Sequence, residues 1–253
     1  MLFLDIANFA VQFGGIRAVD DVSFHIEQGE VFTIIGPNGA GKTTIFNLIS
    51  RIYEPVAGRI VFDGREITNS PAHRIANLGI ARTFQNIELF ENATVLDNLL
   101  LGRHPHRGQQ GVVGEMLFLS AVRRRELDHR RRVEEIIDFL ELAHYRSTHI
   151  SVLPYGVRKV VELGRALASE PRLLLLDEPS SGLNVEETED MSFWIKDIRE
   201  ELGVTVCMVE HDMTLVNSVS DRVLALNYGR VIAEGTPSEV QSHSEVIKAY
   251  LGG

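Results

Sequence analysis

The sequence predicts an α/β fold in which a largely parallel sheet carries its chemistry on the loops that follow the strands. Three stretches predict it. "GPNGAGKT", Gly36 to Thr43, stands between the apolar strand "VFTII" and the helical run "IFNLISRIY". "RLLLLDEP" is a strand-sized apolar run ending in two acids, the pattern of a strand covered on both faces. "TVCMVEH" repeats that pattern and ends in a histidine.

The other elements follow in order. "LFLDIANFAVQF" and "AVDDVSFHI" read as strands, with "EQGE" as the turn into "VFTII". "AGRIVFDGREI" returns to strand, residues 70–82 read as helical, and "IARTFQ" reads as a strand entering a loop. From about 94 to 168 the pattern is mostly helical, with a Gly/His/Arg/Gln-rich break at "GRHPHRGQQG". A helix is expected at 186–202, a hairpin in "DRVLALNYGRVIAEGT" turning at Asn227–Gly229, and a closing helix at roughly 237–251. There is no internal repeat and no low-complexity linker.

Composition narrows the class. The chain has 253 residues, enough to bury a sizeable core, and its 44% hydrophobic and 24% charged residues argue against disorder. No apolar run approaches the roughly 20 residues that span a bilayer. "MLFLDIANFA" lacks the basic start of a secretory signal. The expectation is a soluble, cytoplasmic protein that reaches a membrane only through a partner. A net charge of −10 gives no drive toward nucleic acid. Cys207, the single cysteine, sits in "VTVCMVE" and reads as a buried small hydrophobe. Histidines 104, 106, 129, 144 and 149 lack a ligand spacing, so no structural metal is expected. The basic stretch "RRRELDHRRRVEE", 123–135, with Val133, Ile136, Ile137 and Leu140 on an apolar side, reads as a solvated helix face. Contact with anionic lipid headgroups is the competing reading.

The motif Gly36, Pro37, Asn38, Gly39, Ala40, Gly41, Lys42, Thr43 fits G-x-x-x-x-G-K-[ST]. Its glycines let backbone N–H groups turn inward around phosphate oxygens, and the following helix points its positive end at the same place. Lys42 supplies a charge to the β/γ-phosphates of a nucleotide, and the Thr43 hydroxyl can ligate Mg²⁺. Asp177, at the end of a buried strand, can hold the Mg²⁺ shell, and Glu178 beside it can orient or deprotonate water for in-line attack on the γ-phosphate. Gln85, just past a strand, can touch both metal and attacking water. His211, ending the next buried strand, can donate to the γ-phosphate.

In this order, with "LPYG" upstream of "DEPSSGLN", the motifs resemble those of the ATP-binding subunit of ABC transporters over essentially the whole chain. The subgroup they resemble serves bacterial importers of branched-chain and other hydrophobic amino acids; "VQFGGIRAVDDVSF", "ARTFQNIELFENATVLDNLLLG" and "EGTPSEV" with "VIKAYLG" carry that likeness. The resemblance implies a P-loop NTPase core with an antiparallel β subdomain (1–92 and 169–253) and an inserted α-helical subdomain (93–168) ending in a signature motif. It implies that Phe13 stacks on adenine, that Gly36 to Thr44 cradle the phosphates, and that Gln85 senses metal and membrane partner. Glu178 becomes the catalytic base, residues 181–184 the loop that crosses to a partner, and His211 the γ-phosphate switch. Two such subunits close head-to-tail around two ATP molecules, each signature covering the other's P-loop. Transmembrane permeases are implied as direct partners, and an extracytoplasmic binding protein as an indirect one. A soluble ABC ATPase is disfavoured because the chain carries one cassette and no sustained heptads. A small-molecule kinase is disfavoured by Glu178 and His211.

The signature itself departs from L-S-G-G-Q: it reads Leu153, Pro154, Tyr155, Gly156, Val157. Pro154 has neither the serine hydroxyl nor an N–H. A charge-assisted hydrogen bond is worth roughly 1.5–3 kcal/mol, so the loss implies a tenfold to hundredfold weaker cap. Gly156 still permits close approach, and a helix start at 157–168 still presents amides and a positive dipole. Proline is favourable in a first helical turn. The expectation is a heterodimer in which a partner with a full signature completes this chain's site; a homodimer with two altered caps is the alternative.

Overall fold

The computed structural model describes residues 2–106 and 120–251. Strands β1 (Leu2–Phe13), β2 (Ile16–Glu27), β4 (Ala57–Phe62) and β5 (Arg65–Glu66) form an antiparallel sheet in the order β2-β1-β4-β5. A second sheet has six strands in the order β10-β9-β3-β8-β7-β6. Its members are β3 (Val31–Ile35), β6 (Ile80–Arg82), β7 (Leu173–Asp177), β8 (Thr205–Val209), β9 (Arg222–Asn227) and β10 (Arg230–Gly235). All its neighbours pair in parallel except the β9–β10 hairpin.

Parity explains why β7 and β8 are apolar throughout. Successive side chains of a strand point to opposite faces. Leu174, Leu176, Val206 and Met208 enter one core, shared with the helices. Leu173, Leu175, Cys207 and Val209 enter the other, shared with the antiparallel sheet and with α1 (Lys42–Ile49). Cys207 is fully buried, and burial pushes its thiol far above the usual thiol range.

On the first face, α3 (Val95–Gly102), α4 (Ser120–Phe139) and α5 (Tyr155–Leu167) pack together. A Thr94–Asp97 capping box starts α3. In α4, Val133 and Ile137 are buried, while Arg130 pairs with Glu126 at 3.2 Å, and Arg131 and Arg132 pair with Glu135 at 3.2 and 3.0 Å. The second half of the basic stretch is thus a helix face whose arginines pair with glutamates one turn away. A second capping box, Asn184 with Glu187, starts α6 (Val185–Glu200).

The structure corrects several boundaries. Helix α1 stops at Ile49 because Arg51 takes a left-handed φ of 59° and the chain turns there. Residues 70–82 are not one helix: α2 (Ala72–Ile75) gives way to a 3₁₀ turn, Gly79 reverses the chain, and Ile80–Arg82 is strand. A short helix not anticipated from sequence, α7 (Met213–Val219), is capped by the Asp212 side chain, which accepts from Thr214 N–H. The closing helix is two, α8 (Pro237–Ser242) and α9 (Ser244–Leu251), separated at the extended His243. The hairpin turns as expected, with Tyr228 and Gly229 both at positive φ as a type I′ turn requires. Residues 107–111 of "GRHPHRGQQG" lie outside the described residues.

Candidate active site

The ends of β3, β7 and β8 and the loop after β6 converge. Between β3 and α1 the chain winds through the phosphate-loop motif. Two of its glycines have no room for a side chain. A Cβ on Gly36 (φ 151°) would lie 2.3 Å from the Leu226 carbonyl oxygen, and one on Gly41 (φ 104°) would lie 2.6 Å from that of Ala18. Lys42 is buried and folded back into its own loop, donating to the carbonyls of Gly36 at 2.7 Å and Pro37 at 3.2 Å. Burial lowers the Lys42 pKa, and the nearby Glu178 and Asp177 oppose that shift. The ammonium is thus held by two carbonyls of the same loop. Thr43 and Thr44 stand in the first turn of α1, and Thr43 is exposed.

Asp177 is the last residue of β7. Its Oδ2 accepts from Arg82 Nη2 at 2.7 Å inside the protein, while its buried Oδ1 has no protein partner. A buried acceptor without a donor is costly, and the solvent shell of a divalent cation would satisfy it. Arg82 also donates to Asn47 Oδ1 at 2.7 Å and lies against the Phe46 and Phe84 rings.

Glu178 stands at φ 51°, a strained position for a residue with a Cβ. The backbone is pinned on both sides. Its N–H donates to the Val209 carbonyl at 2.9 Å, and its carbonyl accepts from Ser181 N–H at 3.1 Å and Lys159 Nζ at 3.3 Å. The side chain is thereby aimed outward, where Glu178 Oε2 accepts from Gln85 Nε2 at 2.9 Å. His211 Nδ1 lies 3.8 Å from the same oxygen. The structure thus brings together Gln85, Glu178 and His211, which are 93 and 33 residues apart in sequence.

Phe13 ends β1 with a largely exposed ring, edge-to-face with Tyr53 at 4.9 Å. The signature segment forms a separate surface. Leu153 is buried, Pro154 is exposed, and α5 starts at Tyr155. Pro154 therefore is the N-cap, with extended ψ of 153°, and not a residue of the first helical turn. The helix begins two residues earlier than expected, so the amides of Tyr155, Gly156 and Val157 are its unpaired first turn. Tyr155 Oη donates to the Ser181 carbonyl at 3.3 Å. Gly156 packs on Glu187 so tightly that a Cβ would come within 2.2 Å of Oε1. Arg158 donates to the carbonyls of Leu153 and Ser151, both at 2.9 Å, and so closes the loop behind the signature.

Four charged residues with evident structural roles escaped the sequence reading: Arg82, Lys159, Glu162 and Glu210. Lys159 and Glu162 lie three residues apart on the buried face of α5, and burial lowers the pKa of the first and raises that of the second. Glu162 Oε1 accepts from Phe84 N–H at 3.4 Å, joining α5 to the Gln85 loop. The signal was present as charges interrupting otherwise apolar periodicity, "VVEL" and "MVEH".

Comparison with known proteins places this arrangement. Residues 19–181 match the ABC transporter family model, and residues 230–253 match that of the branched-chain amino acid ATP-binding cassette transporter. The high-affinity branched-chain amino acid transport ATP-binding protein BraF of Pseudomonas aeruginosa is 40% identical over 249 residues, covering 98% of this chain and 97% of that one. A crystal structure of a nucleotide-free ATP-binding cassette from an ABC transporter superposes with a TM-score of 0.87 at 30% identity, covering 100% of both chains. A dimeric post-hydrolysis cassette, MJ0796 bound to ADP and Pi, superposes at 0.76 with 25% identity, covering 93% of this chain and 99% of that one. By its match to the family model and its near full-length likeness to BraF, the chain belongs to the ABC transporter family as one of its ATP-hydrolysing cassettes.

Proposed function

We propose that the chain powers import of branched-chain amino acids, bound as a peripheral subunit at the cytoplasmic face of the membrane. The observation that carries the hydrolytic part is the convergence of Gln85 and His211 on one carboxylate oxygen of Glu178. The substrate class rests on the match at residues 230–253 and on the near full-length likeness to BraF. No helix among the described residues is long and apolar enough to cross a membrane, so permease subunits would supply the pathway.

In this reading Gly36 to Thr44 hold the phosphates of ATP, Phe13 stacks on adenine, and Lys42 leaves its own carbonyls for the β/γ-phosphate oxygens. Thr43, Gln85 and Asp177 would hold Mg²⁺, whose contribution is to neutralise charge building on the phosphates. Glu178 accepts the proton of the attacking water, Gln85 orients that water, and His211 donates to the γ-phosphate. Ser181, Gly182, Leu183 and Asn184 form the segment facing a second ATPase subunit. The amides opening α5 would cap that subunit's nucleotide in place of the missing serine.

Pro154 favours a heterodimer with a fully equipped partner over a homodimer with two altered caps. Proteoliposomes containing the co-purified subunits, supplied with a leucine-loaded binding protein, are expected to take up leucine with ATP. Uptake of urea or amides in its place would overturn the substrate assignment while leaving the ATPase assignment intact.

A further inference from the structure

Glu210 is completely buried, yet all four of its side-chain hydrogen bonds are to donors. Oε1 accepts from Ser180 N–H at 2.8 Å and from Ser180 Oγ at 2.7 Å. Oε2 accepts from His211 N–H at 2.8 Å and Asp212 N–H at 3.1 Å. Its own N–H donates to the Ile34 carbonyl at 3.2 Å, at the end of the strand that leads into the phosphate loop. One residue thus ties the loops after β7 and β8 to each other and to the end of strand β3.

We propose that Glu210 is a positioning residue for hydrolysis, holding the His211 turn and the Glu178–Ser181 turn as one rigid unit. The inference rests on the roles given above to Glu178 and His211. A staple for the Asp212 helix start would need only the Oε2 half of the arrangement. The Oε1 half reaches a segment 30 residues away, two positions from Glu178, whose N–H is already held by Val209. Displacing either turn would move the 3.8 Å approach of His211 Nδ1 to Glu178 Oε2.

The chemistry demands a carboxylate. Glutamine has the same shape but one acceptor oxygen and two N–H donors, so its amide must face either Ser180 or the His211–Asp212 amides donor to donor. The full chain with its co-purified subunits is compared as wild type, Glu210→Gln, Ser180→Ala and Glu178→Gln. Expected for Glu210→Gln is a 10- to 100-fold fall in kcat with KM for ATP within about threefold, the range for losing charge-assisted hydrogen bonds. The His211 resonance in histidine-labelled spectra is expected to shift or broaden. Ser180→Ala, which removes one of four donors, is expected to lower kcat by less than about fivefold. Wild-type kcat in Glu210→Gln overturns the proposal, as does a parallel loss of kcat, ATP affinity and thermal stability with no change at His211. If Glu178→Gln also keeps activity, the underlying reading of the catalytic base fails with it; if only Glu210→Gln keeps activity, the base stands.

Discussion

The two surfaces proposed to face nucleotide are built by opposite means. Its own phosphate loop is surrounded by charge that the fold has buried and paired: Lys42 on two carbonyls, Asp177 on Arg82, Glu210 on four donors. The signature surface has no side-chain donor at Pro154 and offers backbone amides at the start of α5, fixed from behind by Arg158, Tyr155 and Glu187. Buried pairs fix geometry at a desolvation cost, and breaking one leaves an uncompensated charge. Backbone amides cost nothing to orient but bind an anion less strongly than an added hydroxyl would allow. The contrast fits the proposed division of labour, with chemistry at the first surface and closure over a partner's nucleotide at the second.

That contrast can be broken from the charged side first. Arg82→Met would leave the Asp177 carboxylate buried without its cation, and is expected to cost about 3–5 kcal/mol in urea unfolding. Arg82→Lys should recover only part of it, because an ammonium cannot span Asn47 and Asp177 as the planar guanidinium does. A loss below about 1 kcal/mol for Arg82→Met would mean that water already satisfies Asp177.

The signature side is probed by restoring what it lacks. Pro154→Ser places a hydroxyl at the cap of the opposite site and is expected to tighten ATP there about tenfold to hundredfold, read by equilibrium nucleotide binding to the assembled pair. The affinity of this chain's own site should not change. Tyr155→Phe removes the long 3.3 Å contact to Ser181 and is expected to cost at most about 1 kcal/mol of closed-dimer stability, measured by ATP-dependent sizing.

The smallest effect lies away from both surfaces, at the start of α3. Thr94→Ala removes a capping-box hydroxyl and should cost about 1 kcal/mol near neutral pH. The Thr94 hydroxyl holds the Asp97 carboxyl below its usual range. A depressed folded pKa adds stability above the unfolded pKa and loses it as pH falls through the folded one. The penalty of the variant should therefore shrink below about pH 4, in unfolding followed by circular dichroism.

The strands and the phosphate loop were legible because their signals are local: apolar runs of strand length and a Gly-Lys-Thr motif read the same in any context. What escaped depends on tertiary surroundings. Arg51 ends α1 by a left-handed turn that helix propensity does not announce, and His243 divides the last helix through one extended residue. Gly79 did announce the end of its helical segment, and β6 begins just after it, within the stretch "IARTFQ" that reads as strand. Arg82, Lys159, Glu162 and Glu210 were passed over because a charge in sequence reads as solvent-facing. Each is buried here against a specific partner from another part of the chain. At the signature, the helix begins at Tyr155 and not at 157, because Pro154 serves as its N-cap after the turn through Ile150–Val152.

The functional difference between the two surfaces is tested most directly by removing one base at a time from the assembled transporter. Glu178→Gln in this chain is expected to lower ATP hydrolysis by about 10²- to 10⁴-fold, the usual contribution of a general base, while the matching change in the partner ATPase lowers it only a few-fold. Equal losses from the two single changes, or recovery of this chain alone as the complete ATPase dimer, would contradict the asymmetry.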